Sequence, residues 1–160
     1  MVHNRPLTIR QAELADVRTL VALRIALFRD LGDPACESVI ALVSTAISTY
    51  LERKLLTSTY VAWLAELEGT VVATASMIIL EKMPSLHNPT GLEGYLMNVY
   101  TLPAFRRQGA AETLVQAAIG FACARGIGRI SLHASTQGGP LYEHLGFEHI
   151  GHEMRWEERE

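Results

Sequence analysis

The sequence predicts an α/β fold in which helices cover both faces of one mixed β-sheet, with elements in the order βααβββαβαβ. Three observations lead there. Short runs with strand patterning alternate with longer runs of helical periodicity, the first strand being "LTIRQA". "YVAWLAEL" and "VVATASMIIL" follow one another across a short turn at "EGT", which is a hairpin signal. "YLMNVYTL" and "GRISLHAS" are separated by a whole helix, so those two strands run parallel.

Taken in order, Leu7 to Ala12 is short and roughly alternating, a first strand. From about Glu13 to Leu31, Leu20, Leu23, Leu27 and Leu31 recur at helical spacing, and Gly32 supplies the stop. A second helix is expected from about Glu37 to Leu56. The hairpin turns around Gly69. Glu81 to Gly94, rich in Pro, Gly and Asn, reads as a loop before the fourth strand. A helix from about Gly109 to Arg125 ends at Gly126, and the fifth strand follows. "GGPLYEHLG" is a short helix with Pro140 suited to its first turn, and "FEHIGHEMRW" is the strand expected to close the sheet. No repeat, low-complexity segment or dividing linker interrupts the chain, so residues 1–160 read as one domain.

About half of the residues are apolar and both charge signs are mixed through the rest, which excludes disordered and fibrous classes. A formal net charge of −3 argues against a general binder of nucleic acid or anionic membrane. "MVHNRPLTIRQA" lacks the apolar core of a secretory signal, and the longest apolar runs are far short of a membrane span. Cys36 and Cys123 each fall in a helical pattern with no metal spacing; they read as buried free thiols of a cytoplasmic protein. His3, His87, His144, His149 and His152 make no ligand set, so no metal is expected.

The most informative stretch is "VYTLPAFRRQGAAETLVQAA", Val99 to Ala118. A helix start normally carries Ser, Thr, Asp or Asn as its cap; this one carries Gly109, Ala110 and Ala111. A helix N-terminus presents unpartnered N–H groups and about half a positive charge, a suitable place for phosphate. Small residues let a ligand approach the backbone, Arg106 and Arg107 add charge, and Pro103 ends the preceding strand. The same residues also suit a helix packed closely on a sheet with solvated arginines. There is no Walker lysine and no dinucleotide-binding glycine spacing.

"LPAFRRQGAA" resembles the signature of the GNAT superfamily of N-acetyltransferases, Arg/Gln-x-x-Gly-x-Gly/Ala, with Arg106, Gly109 and Ala111 at the marked positions. About thirty residues on, "PLYEHLGF" resembles the second signature of that family, Leu-Tyr-Glu-x-Leu-Gly-Phe. The close match spans about Tyr95 to Phe147, while the N-terminal half agrees only in its order of elements. The resemblance implies a mostly antiparallel sheet of six to seven strands and a site for acetyl-CoA. Its pantetheine arm would pair with Val99, Tyr100 and Thr101 where the fourth and fifth strands splay. Its pyrophosphate would rest on the N–H groups of Arg107, Gln108, Gly109, Ala110 and Ala111, with Glu112 opening the helix behind. Ser135 stands where the family often has Asn, and Gly138 where it has Ala, which implies an altered cofactor contact.

Acetyl transfer to an amine needs a neutral nitrogen, a stabilised oxyanion and a proton for the departing thiolate. Tyr142 matches the family's general-acid tyrosine; the plainer reading is a ring packing the short helix on the sheet. Glu93, just before the fourth strand, is the candidate base, or else a solvated loop carboxylate. His133 reads as base, substrate contact or core histidine. Asn98 interrupts an apolar strand and must find a partner, either the substrate or the strand gap. The expected function is direct N-acetylation of a primary amine, on a small molecule or peptide, by a cytoplasmic enzyme. The alternatives are a CoA-binding regulatory or interaction module without turnover and, further off, another nucleotide-phosphate binder. The resemblance also implies a homodimer through the C-terminal strands.

Overall fold

In the computed structural model residues 6–158 are described. His3, and the part of the N-terminal stretch before Pro6, lie outside them. One five-stranded sheet has the strand order β1-β2-β3-β4-β5, formed by β1 (Leu7–Gln11), β2 (Tyr60–Leu67), β3 (Thr70–Glu81), β4 (Leu92–Thr101) and β5 (Arg129–Ser131). All neighbours are antiparallel except β4 and β5, which run parallel across the helix between them. The hairpin turns at Glu68 and Gly69, both at positive φ (52° and 79°), as a tight turn matched to strand twist requires.

Helices α1 (Val17–Asp30) and α2 (Glu37–Lys54) cover one face of the sheet, and α3 (Ala110–Ala124) covers the other. The α3 face holds the larger core: Trp63, Met77, Leu96, Leu114 and Val115 are nearly or wholly inaccessible to solvent. Ala110, Ala118 and Ala122 on α3 are buried against it, and these small side chains bring the helix backbone close to the sheet. On the opposite face Leu20 and Leu23 of α1 and Leu51 of α2 pack on Ala62, Leu64 and Tyr100. A short helix, α4 (Gly139–His144), follows β5.

Two expectations need correction. The sheet has five strands, because residues 148–158 form no strand; their apolar Ile150, Met154 and Trp156 are exposed. The physical reason is the shortness of β5, whose pairing with β4 stops at Tyr95–Ser131, so no ladder extends along the edge that a closing strand would join. Both cysteines are free but exposed. Cys36 caps α2 from outside the helix, and Cys123 lies on α3 away from the buried alanines.

Candidate active site

Beyond Tyr95 the edge of β4 has no strand beside it, and a cleft of about 920 Å³ opens along that edge. One wall is the N-terminus of α3. Its N-cap is Gly109 at φ +85°, no side chain caps it, and the first backbone bond of the helix runs from the Thr113 N–H to the Gly109 carbonyl. A Cβ built on Gly109 would meet nothing within 4 Å. The glycine is therefore required by the left-handed backbone, and the space beside it is left open. Arg107 also has positive φ (62°), so successive amides turn around the cleft as in an anion-binding nest.

Every residue expected at the cofactor lines this cleft except Gln108: Val99, Tyr100, Thr101, Arg106, Arg107, Gly109, Ala110, Ala111, Glu112 and Ser135. Arg106 is committed in a way the local sequence does not reveal. Its guanidinium donates to the Thr101 carbonyl (3.0 Å) and to Asp30 Oδ2 (2.6 Å), and lies over the Tyr100 ring. The Tyr100 hydroxyl donates to the same Asp30 oxygen at 2.8 Å. The bonds from Tyr100 and Arg106 hold the Asp30 carboxyl below its ordinary pKa, while burial, with Asp30 adding to it, pushes the Tyr100 phenol up. This clamp ties the end of α1 to the signature loop and holds the Arg106 guanidinium against Asp30 and Tyr100.

Asn98 sits in a β-bulge. The register passes from Ser76–Met97 to Thr74–Tyr100, so Asn98 and Val99 together oppose Ala75. Asn98 has φ 54°, and its Oδ1 is buried without a partner among the described residues. The bulge places Tyr100 on the same face as Met97, three residues earlier, while Val99 packs toward α3.

Tyr142 lines the other wall of the cleft, and its hydroxyl has no hydrogen bond among the described residues. Its ring meets Phe147 edge-on at 5.7 Å, and burial pushes its pKa up, so the phenol keeps its proton. Ser135 accepts from the Gly138 N–H on both its Oγ (3.2 Å) and its carbonyl (3.1 Å), which starts the turn into α4. A Cβ on Gly138 would stand 3.2 Å from the Tyr142 ring and 3.3 Å from Ser135 Oγ, so glycine there lets the tyrosine and serine approach each other.

Glu93 belongs to β4 rather than to the preceding loop, and it is not part of the cleft. It is buried, accepting from Ser131 Oγ (2.9 Å) and pairing with Lys82 Nζ (3.0 Å). Burial would raise its pKa, but Lys82 and Ser131 outweigh that and hold it below the usual value. His133 is half-exposed; its Nδ1 is 2.7 Å from the Tyr95 hydroxyl, and its Nε2 is 3.3 Å from Glu153. Sequence reasoning missed this Tyr95–His133–Glu153 chain and the Asp30 clamp. Both join residues far apart in the chain, for which no local pattern exists.

The sequence model described as the acetyltransferase (GNAT) family matches residues 27–147, more than half of the chain. The chain belongs to that family. A predicted acetyltransferase from Clostridium acetobutylicum, solved with acetyl-CoA, superposes with a TM-score of 0.86 at 29% identity, covering 95% of this chain and 96% of that one. A GCN5-related N-acetyltransferase from Ralstonia eutropha JMP134 gives 0.84 at 26% identity, covering 95% and 98%. Glucosamine-6-phosphate N-acetyltransferase from Arabidopsis thaliana shares the fold, with a TM-score of 0.72 at 22% identity over 95% and 98%. No curated protein matches the chain. Acetyl-CoA is the acyl donor of this family, and the uncapped helix end, the open space at Gly109 and the free edge of β4 fit it. Among the described residues no helix is long and apolar enough to cross a membrane, and no three His, Cys, Asp or Glu side chains cluster to hold a metal.

Proposed function

We propose that this GNAT acetyltransferase moves the acetyl group of acetyl-CoA directly to a primary amine in a ternary complex. One observation carries the reading: the uncapped N-terminus of α3, the unpaired edge of β4 and the unbonded Tyr142 hydroxyl open into one cleft. Acetyl-CoA, when bound, supplies an acetyl thioester at the gap. The N–H groups of Arg107, Gly109, Ala110, Ala111 and Glu112 would hold the pyrophosphate, and the edge of Val99, Tyr100 and Thr101 would hold the pantetheine arm. Several convergent donors share that task, since one helix-end interaction contributes only about 0.3–2 kcal/mol. Ser135, already turned into the α4 start, positions Tyr142 beside the cofactor.

Tyr142 would deliver its hydroxyl proton to the departing sulfur; burial keeps the phenol protonated but makes that proton harder to give up, so the role depends on the hydroxyl standing beside the sulfur. A lysine-like amine has a pKa near about 10.4 and must lose a proton before it reacts. Glu93 is ionised, but both its oxygens are engaged, so a proton reaches it only through water or through the groups of Ser131 and Lys82. His133 and Asn98, neither of which lines the cofactor cleft, are assigned to the acceptor. Neither Cys36 nor Cys123 lines the cleft, which supports direct attack over a covalent cysteine intermediate. The chain is read as one acetyltransferase domain of a cytoplasmic protein. Exposed Ile150, Met154 and Trp156 support a homodimer through the C-terminal segment.

The enclosed state of Glu93 is the observation that favours the second reading, a CoA-binding module without turnover. Titration with acetyl-CoA, ATP and NAD, followed by thiol release with a panel of amines, separates the two. Selective CoA binding with thiol release supports the enzyme; binding without release supports the module.

A further inference from the structure

One cation lies outside every interaction described so far. Val17, Leu20, Arg24, Leu27 and Leu31 fall at the spacing of a single helical stripe along α1, and Arg24 occupies its centre. Val17, Leu20 and Leu27 on that stripe are buried or half-buried on the sheet, Leu31 is exposed just past the end of the helix, and Leu27 and Leu31 line the cleft. Arg24 therefore stands one helical turn, about 5 Å, beyond the cofactor groove on the same face. Its guanidinium is half-buried over the Phe28 ring (4.8 Å), with no hydrogen bond or ion pair among the described residues. Burial lowers its pKa, and the titratable groups within electrostatic reach are three phenols, Tyr60, Tyr50 and Tyr95.

Those phenols form a defined floor and wall. Tyr60, Ile78 and Tyr95 are cross-strand partners in one row on the α1 side of the sheet, and Tyr50 of α2 meets Tyr60 edge-on at 5.8 Å. Carboxylates on the surrounding elements are committed elsewhere: Asp16 to Arg10, Asp30 to Arg106 and Tyr100, Glu37 to Arg29, Glu52 to Ser48, Glu93 to Lys82 and Ser131. A half-buried cation without a counter-ion bears part of the cost of desolvation, and an anionic ligand would supply the missing charge. Arg53 lies over the Tyr50 ring at 6.0 Å, and Arg24 is the cation on the α1 stripe itself; its planar fork matches a carboxylate bidentately, and one guanidinium balances one negative charge.

We propose that Arg24, on the sheet-facing stripe of α1 one turn beyond the cleft, binds the carboxylate of the acceptor, so that the amine acetylated here belongs to an amino-acid-like monoanion and not to a polycation. This rests on the acetyl-transfer reading above and narrows its substrate class. The test uses the whole protein, with acetyl-CoA binding measured first by titration without acceptor. Thiol release is then followed with matched pairs: β-alanine, 6-aminohexanoate and phenylalanine, each against its own amide. The acids are expected to exceed their amides in kcat/KM by about tenfold or more, the scale of a charge-assisted bond to a buried group. Arg24→Met should bring that ratio close to one, with Arg24→Lys between, while acetyl-CoA affinity stays at the wild-type value. Methionine on an apolar stripe should also leave the Tm equal or higher, whereas an arginine kept only for packing on Phe28 would lose stability. Equal use of acids and amides by the wild type, preference for amides, or no release with any acid while acetyl-CoA binds would each overturn the assignment. Failure of acetyl-CoA to bind at all would instead overturn the cofactor reading beneath it.

Discussion

At Gly109 two physical demands meet, a left-handed backbone and an open approach to the amides behind it. Replacing it with Val imposes a Cβ-branched residue at φ +85°, which costs about 1–2 kcal/mol from backbone strain alone. Gly109→Val should therefore unfold at lower temperature and also bind acetyl-CoA more weakly, because its methyls fill the space a pyrophosphate needs. Unchanged affinity in a titration would reduce the motif to a packing device. Tyr142→Phe removes one oxygen and little packing; kcat should fall about a hundredfold, as for loss of a general acid, while acetyl-CoA affinity changes little. Equal turnover by the two proteins would remove the acid assignment. Both residues were legible in the sequence because each lies in a contiguous motif. The Arg106 side chain was not, since its partner Asp30 lies 76 residues away.

At the scale of elements, α1 is joined to the signature loop through Asp30. Asp30→Asn keeps the shape but removes the ion pair with Arg106, and a loosened loop should weaken acetyl-CoA binding more than it lowers the Tm. Retained affinity would show that the loop holds its form without α1. The start of β4 carries a different pair, buried Glu93 with Lys82, whose own side chain is 56% exposed. The folded pKa of Glu93 lies below the unfolded value near about 4.3, so the unfolded chain takes up the proton first. Its contribution is thus fully present above that value and lost as pH falls through the folded pKa. Glu93→Gln should destabilise the protein at pH 7 by about 1–3 kcal/mol, less than for a fully buried pair because Lys82 reaches water. The same variant should flatten the acid limb of a Tm-against-pH profile; an unaltered limb would show that other carboxylates set it. Helix stops at Gly32 and Gly126 and the hairpin at Gly69 were legible because glycine at positive φ is a local signal. The closing strand was misread because pairing depends on a neighbour, and β5 ends too soon to offer one.

For the whole molecule, the two cores depend little on residues after Phe147. That segment contributes exposed His133–Glu153 and His149–Glu143 contacts and unburied apolar side chains. A chain ending at Phe147 should fold, with a Tm lowered by no more than about 2–4 °C, the shift expected for losing about 1 kcal/mol. Size-exclusion elution of the shortened and full-length proteins tests the homodimer at the same time. The order of elements and both helix-covered faces were legible because periodicity reports burial along each element. The proposed acceptor side at Arg24 was not, because the face that α1 and α2 share with β2 and β4 is brought together by residues far apart in the chain, and no local pattern records their meeting. The extra residue at Asn98 has a last consequence. It shifts the phase of β4, so the positions before and after it count their inward and outward turns from different origins. Tyr95 and Met97, on the α1 side of the strand, can then change while the alternation from Val99 onward stays as it was; a one-residue deletion there would exchange the faces of a half-strand and turn Leu96 or Tyr100 out of its core.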